Sequence, residues 1–134
     1  MKEISGISGE ENEMQRNNFY SYTQKKLDLL TKNLLVIKRD GRIVKFDADK
    51  IYKAIEKAVN SVFGEKHSIN INNIVDNVII EIGNRFKDNI KIYELQNIVE
   101  HTLLTLGEEA IYEEYVGYRS MRDIERERSL DINV

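Results

Sequence analysis

The sequence predicts an α+β domain that is mostly helical, in which a β-hairpin or small sheet lies against a bundle of about four helices. Two observations carry this prediction. An Asp-Gly pair separates two short runs rich in β-branched residues, and four later segments repeat apolar residues at the spacing of a helix. The length of 134 residues suits one domain, and the complete absence of Pro agrees with long uninterrupted helices.

The hairpin is predicted around the Asp-Gly pair. Residues 34–38 (LLVIK) and 43–46 (IVKF) form the two strands, and Gly41 accepts a positive φ at no steric cost. Before the hairpin, residues 1–17 have the polar composition of a disordered segment, and the sequence from Asn18 to about Lys32 predicts a helix.

Four helices are predicted after the hairpin. Asp47 is a suitable N-cap for the first, and Gly107 is a stop signal between the last two. A short extended segment at 89–92 is predicted as a third strand. The predicted helices cover residues 47–62, 70–86, 93–106 and 108–128.

Charge is nearly balanced overall but uneven along the chain. There are 20 Lys+Arg against 23 Asp+Glu, so the basic excess typical of proteins that coat nucleic acid is missing. Residues 34–53 have six basic and three acidic residues, whereas residues 54–118 have five basic and eleven acidic ones. Positive charge focused on so short a segment suits a small anion better than a long polyanion.

Several classes of protein are excluded by composition. The chain has no Cys, which rules out disulfides, a Cys-ligated zinc site, an iron–sulfur cluster and thiolate chemistry within it. The apolar runs are too short to span a membrane, and the polar, acidic N-terminus resembles neither a signal peptide nor a presequence, so we expect a cytoplasmic protein without membrane association. His67 and His101 lack a third ligand at metal spacing, and no nucleophile motif occurs. We therefore expect no metal site and no catalysis by this chain alone.

A first candidate anion site lies at the end of the predicted hairpin. Lys38 and Arg39 end the first strand, and Lys50 falls in the first turn of the helix capped by Asp47, where free N–H groups already favour anions. Phe46 offers an aromatic face nearby. This combination is the minimum description of a nucleotide site, although a hairpin with solvated lysines explains the same pattern.

A second candidate is an arginine stripe on the last predicted helix. Arg119, Arg122 and Arg126 recur at steps of three or four residues and so share a face, from which guanidinium groups can hold phosphate. The alternative is an exposed stripe paired with the neighbouring acidic residues Asp123, Glu125 and Glu127.

Residues 35–47 (LVIKRDGRIVKFD), followed by Lys50 and Ile51, resemble the opening of the ATP-cone domain, the nucleotide-sensing regulatory module of ribonucleotide reductases and of the NrdR repressor. Residues 92–100 (IYELQNIVE) and 115–123 (YVGYRSMRD) extend the resemblance. On this basis the chain divides into a leader at 1–33, an ATP-cone at 34–126, and the start of a linker to a following catalytic domain at 127–134.

The resemblance implies a three-strand lid over a four-helix bundle, with ATP or dATP, together with Mg²⁺, bound between them as an allosteric ligand. It also implies control of overall reductase activity through nucleotide-dependent homo-oligomerisation, with a catalytic reductase domain or subunit as partner. The ending YRSMRDIERE resembles the junction that leads into the catalytic part of anaerobic (class III) reductases.

The resemblance also assigns roles to particular side chains. Lys38 and Arg39 would reach the phosphates, and Phe46 and Asp47 would border the adenine. Ile92 and Gln96 depart from the Thr and His that many family members carry. The full set of nucleotide-binding residues implied is Val36, Lys38, Arg39, Phe46, Asp47, Lys50, Ile51, Ile92, Gln96, Arg119 and Arg122.

Two other functions stay open. The first is a cone that no longer binds nucleotide and acts as a helical protein-interaction module, through its apolar stripe or its leader. The second is a DNA-binding regulator related to the repressor. The net charge of −3 and the lack of Cys for a zinc ribbon argue against that second function.

Overall fold

The computed structural model describes the backbone of residues 26–133 and the side chains of residues 26–125. The predicted disordered segment, residues 1–17, and the first part of the helix predicted from Asn18 lie outside the described residues. Residues 26–30 are helical, in agreement with the end of that predicted helix.

This part of the chain forms five helices and one small sheet, which confirms the α+β, mostly helical fold class. The first four helices end close to their predicted limits, and the last continues past the predicted end near Arg128. The elements are α1 (residues 26–30), β1 (Leu35–Ile37), β2 (Ile43–Lys45), α2 (Ala48–Phe63), α3 (Ile71–Arg85), β3 (Asn89–Lys91), α4 (Ile92–Thr105) and α5 (Glu109–Asn133).

The predicted hairpin is present, but its turn is longer than an Asp-Gly two-residue turn. The N–H of Lys38 donates to the carbonyl of Arg42 at 2.8 Å, and the N–H of Gly41 donates to the carbonyl of Lys38 at 3.0 Å. Gly41 has a φ of 90°, as the last residue of a three-residue hairpin loop requires. Because β1 already ends at Ile37, Lys38 and Arg39 belong to the turn. The prediction that they end the strand is wrong.

The third strand completes the sheet on the other side of β1. The strand order is β2-β1-β3, with β1 antiparallel to β2 and parallel to β3. Val36 of β1 lies opposite Ile90 of β3, and both side chains are buried. β3 ends at Lys91 and α4 begins at Ile92, so no loop separates the strand from the helix.

Side-chain caps fix the helices that follow the hairpin and the first long loop. The carboxylate of Asp47 accepts the N–H of Asp49 at 3.0 Å, as the sequence predicts for an N-cap. Asn70 caps α3 in the same way, by accepting the N–H of Asn73 at 3.0 Å.

The core is built from the apolar stripes of the long helices and the underside of the sheet. Helix α3 contributes the most buried side chains and packs against α2 and α4, and α5 packs against the same two helices. The end of the leader is also part of this core, because Leu27 is buried and the backbone and Cβ of Leu30 lie against Gly83. The most deeply buried large side chains are Leu34, Ile55, Ile79, Ile82, Ile90, Leu103 and Ile111. Among the described residues, no helix has the length and apolar character needed to cross a membrane.

Candidate functional site

A cavity of about 360 Å³ opens between the hairpin and the helices α2, α4 and α5. The hairpin forms one wall, the first two turns of α2 and the start of α4 form the floor, and the middle of α5 forms the opposite wall. All eleven residues implied by the resemblance line this cavity. The topology therefore brings the predicted set together from four elements, and its contact with a nucleotide stays a prediction.

The cavity wall is positively charged in an acidic chain. The seven basic residues that line it are Lys38, Arg39, Arg42, Lys45, Lys50, Arg119 and Arg122, against the three acidic residues Asp40, Asp47 and Asp123. Seven minus three gives +4, while the whole chain carries −3. A concave surface with apolar walls focuses such a field and attracts small anions.

The floor of the cavity is apolar. Val36, Ile51 and Ile92 were predicted there, and Ala54, Leu95 and Val99 join them. A sequence signal existed for Ala54, because it lies one helical turn after Ile51 on α2. Leu95 and Val99 were assigned only to the core stripe of α4, and nothing in their spacing shows that they also face a cavity.

Arg39 reaches across the mouth of the cavity from the hairpin turn. Its Nη2 lies 3.2 Å from Oδ1 of Asp123 on α5 and donates to Oε1 of Gln96 on α4 at 3.3 Å. Asp123 was expected to pair with the arginines of its own helix, and the structure gives it a partner on the hairpin instead.

Gln96 joins two guanidinium groups. Its Oε1 accepts from Nη2 of Arg39 at 3.3 Å and from Nη1 of Arg119 at 3.5 Å. An amide oxygen is always an acceptor, whereas a histidine at this position is one only while neutral. The departure from His therefore keeps both arginines beside one acceptor at any pH.

Arg119 is the most deeply placed of the cavity arginines. Its Nη2 forms an ion pair with Oε2 of Glu100 on α4, and both side chains are largely buried. Its Nε is also buried and has no hydrogen-bond partner among the described residues. The expected pairing of Arg119 with acidic residues of α5 is therefore wrong, since Glu100 comes from the neighbouring helix.

Tyr115 lies next to this pair at the base of the cavity. Burial and, to a smaller extent, the nearby Glu100 carboxylate raise the pKa of its hydroxyl to about 12, against the opposing effect of Arg119. Tyr115 is therefore a neutral phenol at physiological pH. The sequence placed it on the arginine face but gave it no role at the site.

Tyr118 lies at the outer edge of the cavity between two cations. Nζ of Lys57 donates to its hydroxyl at 2.8 Å and lies 4.1 Å from the ring centre, and the guanidinium of Arg122 lies 5.9 Å from the same ring. Hydrogen bonds from Lys57 and Arg122 lower the pKa of the Tyr118 hydroxyl. Arg122 is thus held against an aromatic ring on the exposed side of α5.

The two histidines lie away from the cavity. Nδ1 of His67 accepts the N–H of Ile69 at 3.1 Å in the loop before α3, and His101 is exposed on α4. Over residues 26–125, no group of three potential ligand side chains is arranged to hold a metal ion.

Comparison with known proteins finds similar sequences among ribonucleotide reductases. The anaerobic ribonucleoside-triphosphate reductase of Haemophilus influenzae is 36% identical over 98 residues, which cover 72% of this chain and 13% of that protein. The ribonucleoside-diphosphate reductase subunit alpha of Chlamydia muridarum is 28% identical over 113 residues, 77% of this chain and 11% of that protein. The chain thus spans little more than a tenth of the length of these reductases.

A third relative is much shorter. The transcriptional repressor NrdR of Caldicellulosiruptor saccharolyticus is 35% identical over 94 residues, 68% of this chain and 58% of that protein. The ATP cone domain itself matches residues 34–124, which include the whole sheet, α2, α3, α4 and the part of α5 that lines the cavity. The chain, with its small sheet closing a basic cavity on a helical bundle, therefore belongs to the ATP-cone family.

Proposed function

We propose that this chain is a nucleotide-binding regulatory domain that takes ATP or dATP into the cavity and thereby controls a ribonucleotide reductase. The observation that carries the proposal is the +4 charge of an apolar-floored cavity in a chain of net charge −3. The polyphosphate of a nucleotide matches the positive charge of the cavity, and its planar, weakly polar base matches the apolar floor.

The cavity divides into a phosphate end and a base end. Lys38, Arg39 and Lys50 belong to the phosphate end, where the partial positive charge at the N-terminus of α2 adds to theirs. The base end has the ring of Phe46 and the side chains of Ile51 and Ile92. A flat apolar slot of this kind accepts adenine by stacking and dispersion.

Asp47 is the residue proposed to recognise the adenine amine. Its Oδ1 already accepts the N–H of Asp49 as the cap of α2, which fixes the orientation of the carboxylate. Oδ2 is then available to accept from an exocyclic amine at the base end of the cavity.

Mg²⁺ is proposed to enter with the triphosphate. Three carboxylates line the cavity, but Asp40 is engaged by Arg42 at 2.7 Å, Asp123 by Arg39 at 3.2 Å, and Asp47 by its helix cap. Because Mg²⁺ keeps several waters and commonly binds through substrate phosphates, the phosphates are its expected ligands here.

Regulation requires the two nucleotides to favour different states of the parent protein. ATP is proposed to favour an active arrangement and dATP an inactive homo-oligomer, separated by a coupling free energy of about 1–3 kcal/mol. The two ligands differ only at the ribose 2′-position, so the discrimination arises between the base end and the phosphate end. The proposed partner is a reductase catalytic domain or subunit in the cytoplasm, of the anaerobic class that the H. influenzae relative represents.

The first experiment is a calorimetric titration of the purified chain with ATP and with dATP, each with Mg²⁺, followed by light scattering to measure the oligomer. Micromolar binding of both nucleotides, with dATP changing the assembly, is the expected result. Absence of binding by either nucleotide would contradict the proposal and favour a helical protein-interaction module.

Substitution of the basic turn residues tests the location of the site. Lys38→Ala or Arg39→Ala is expected to abolish ATP binding at micromolar concentrations while shifting the thermal midpoint by no more than about 2 °C, because both side chains are partly exposed. Lys66→Ala removes an exposed lysine from the loop before α3 and is the matched control, expected to bind ATP as the unsubstituted chain does. Unchanged affinity in both turn variants would place the site elsewhere.

The NrdR relative favours one further candidate, a DNA-binding regulator. Seven of the basic residues line a concave cavity, whereas duplex DNA needs an extended basic face. A gel-shift titration with duplex DNA at low and moderate salt tests it, and retention that weakens with salt would support the DNA-binding candidate.

A further inference from the structure

One acidic residue, Asp123, lines the basic cavity beside Arg39, which is one of the side chains proposed to bind the phosphates. Asp123 lines the wall formed by α5, and its Oδ1 is 3.2 Å from Nη2 of Arg39. Oδ2 of Asp123 also accepts from the same Nη2, at 3.3 Å. Arg39 is therefore engaged with α5 before any anion enters.

This contact differs from the other ion pair of the hairpin. Arg42 pairs with Asp40 at 2.7 Å, but the two residues lie in the same turn, so that pair connects the hairpin only to itself. Arg39 and Asp123 are 84 positions apart, and their contact joins the tip of the hairpin to the far wall of the cavity. Gln96 adds a neutral contact to Arg39 at 3.3 Å from α4.

The pair is accessible enough to be exchanged. The side chains of Arg39 and Asp123 are 39% and 32% exposed, so solvent screens their attraction and a more highly charged anion can compete for the guanidinium. Arg39 donates through a planar fork that fits a phosphate as well as a carboxylate. Once Arg39 binds a phosphate instead, the Asp123 carboxylate lies close to the negative charge of that phosphate.

We propose that Asp123 is a specificity-determining counter-ion, which holds Arg39 across the mouth of the cavity and must be displaced by the phosphates of the incoming nucleotide. The inference rests on the proposed function. It adds that Asp123 and the nucleotide phosphates compete for Arg39 at the phosphate end of the cavity. A triphosphate displaces Asp123 most effectively and a monophosphate least, so the residue raises the threshold of charge that a ligand needs.

The experiment compares Asp123→Asn with the unsubstituted chain by titration with ATP, ADP and AMP at one ionic strength. The Asn variant is expected to bind ATP about two- to fivefold more tightly, the range set by a partly exposed ion pair, with a larger gain for AMP, so that the preference for ATP over AMP narrows. Glu125→Gln makes the same change of charge on the same helix, outside the cavity lining, and is expected to leave all three affinities unchanged.

Hydrogen exchange without nucleotide tests the contact itself. The amides of Lys38 and Gly41 hold the turn together through hydrogen bonds of 2.8 and 3.0 Å. Both are expected to exchange faster in Asp123→Asn and in Arg39→Ala, and no faster in the double variant than in Arg39→Ala alone. Independent, additive effects of the two substitutions would show that they do not act through one contact.

The outcomes separate the two proposals. If the unsubstituted chain does not bind ATP, the proposed function fails, and this inference fails with it. If the unsubstituted chain binds ATP but Asp123→Asn binds no more tightly, or if Glu125→Gln gives the same gain, the counter-ion inference alone is overturned.

Discussion

The β1–β2 hairpin and helix α3 stand at opposite extremes of burial in this molecule. Helix α3 buries seven of its fifteen residues, with Val78 and Ile82 fully enclosed. In the hairpin, only Val36 of β1 is buried, and β2 buries none of its residues. One wall of the cavity is thus formed by an element that contributes little to the core. Substitutions in the hairpin can therefore change ligand contact with little effect on stability, whereas the floor residues Ile51, Leu95 and Val99 belong to both the cavity and the core.

The largest expected effect breaks the core and spares the hairpin. Ile82→Ala removes buried atoms from α3 and is expected to lower the free energy of unfolding by about 2–5 kcal/mol. Ile43→Ala removes the same atoms from a β2 side chain that is 62% exposed. This substitution should change the free energy of unfolding by no more than about 0.5 kcal/mol. Chemical denaturation measures both. A loss at Ile43 similar to that at Ile82 would contradict the contrast between the two regions.

A smaller effect is expected where α3 meets the end of the leader. A Cβ on Gly83 would lie 2.6 Å from Cβ of Leu30 and 3.3 Å from the Leu30 carbonyl oxygen, so the backbone of that segment must move. We expect Gly83→Ala to lower the free energy of unfolding by about 1–3 kcal/mol, in spite of the better helix propensity of Ala.

Gly117 on α5 is the matched control for that substitution. An added Cβ there meets nothing within 4 Å, so Gly117→Ala is expected to raise the free energy of unfolding by about 0.5–1 kcal/mol. If Gly83→Ala proves equally stabilising, the leader does not pack on α3 as described.

The smallest effects concern two carboxyl groups whose pKa values are shifted in opposite directions. Burial raises the pKa of Asp76 on α3 above its ordinary 3.8, so its contribution to stability is present at low pH and is lost as pH rises through the raised pKa. In the hairpin, the N–H and the guanidinium of Arg42 lower the pKa of Asp40, whose contribution is present above 3.8 and is lost as pH falls through the lowered pKa.

Asn substitutions should therefore have opposite signs at pH 7. Asp76→Asn is expected to raise the thermal midpoint by about 1 °C, and Asp40→Asn to lower it by a similar or smaller amount, since Asp76 is only partly buried and Asp40 is exposed. Both differences should be smaller near pH 2, because the carboxyls take up protons as the pH falls. Thermal melts at the two pH values check this, and differences of the same sign at pH 7 would contradict it.

Local sequence signals predicted the elements well because each depends on its immediate neighbours. Asp47 caps α2 through a hydrogen bond to a residue two positions away, and the apolar period of α3 needs only the geometry of a helix. Gly41 marked the hairpin correctly, although three residues form the loop. The family resemblance then supplied the set of residues that surround the cavity.

The contacts across the cavity were not predictable from such signals. Glu100 pairs with Arg119 and Asp123 with Arg39 because α4, α5 and the hairpin converge in space, and charge patterning along one helix pointed to other partners. The same holds for the end of the leader, where the sequence predicted a helix but gave no sign that Leu27 enters the core. Long-range pairing depends on how elements are arranged, which the periodicity of a single element does not encode.

The direct passage from β3 into α4 connects the sheet, which includes the hairpin wall of the cavity, to a helix that forms part of the cavity floor. β1 is paired with β3 from Leu35 opposite Asn89 to Ile37 opposite Lys91, and α4 begins at the next residue, Ile92. With no loop to absorb a shift, a displacement of β1 along its own direction also displaces the first turn of α4. The strand that carries Val36 and the helix that carries Gln96 are therefore expected to shift together, because the buried pair of Val36 and Ile90 holds β1 against β3.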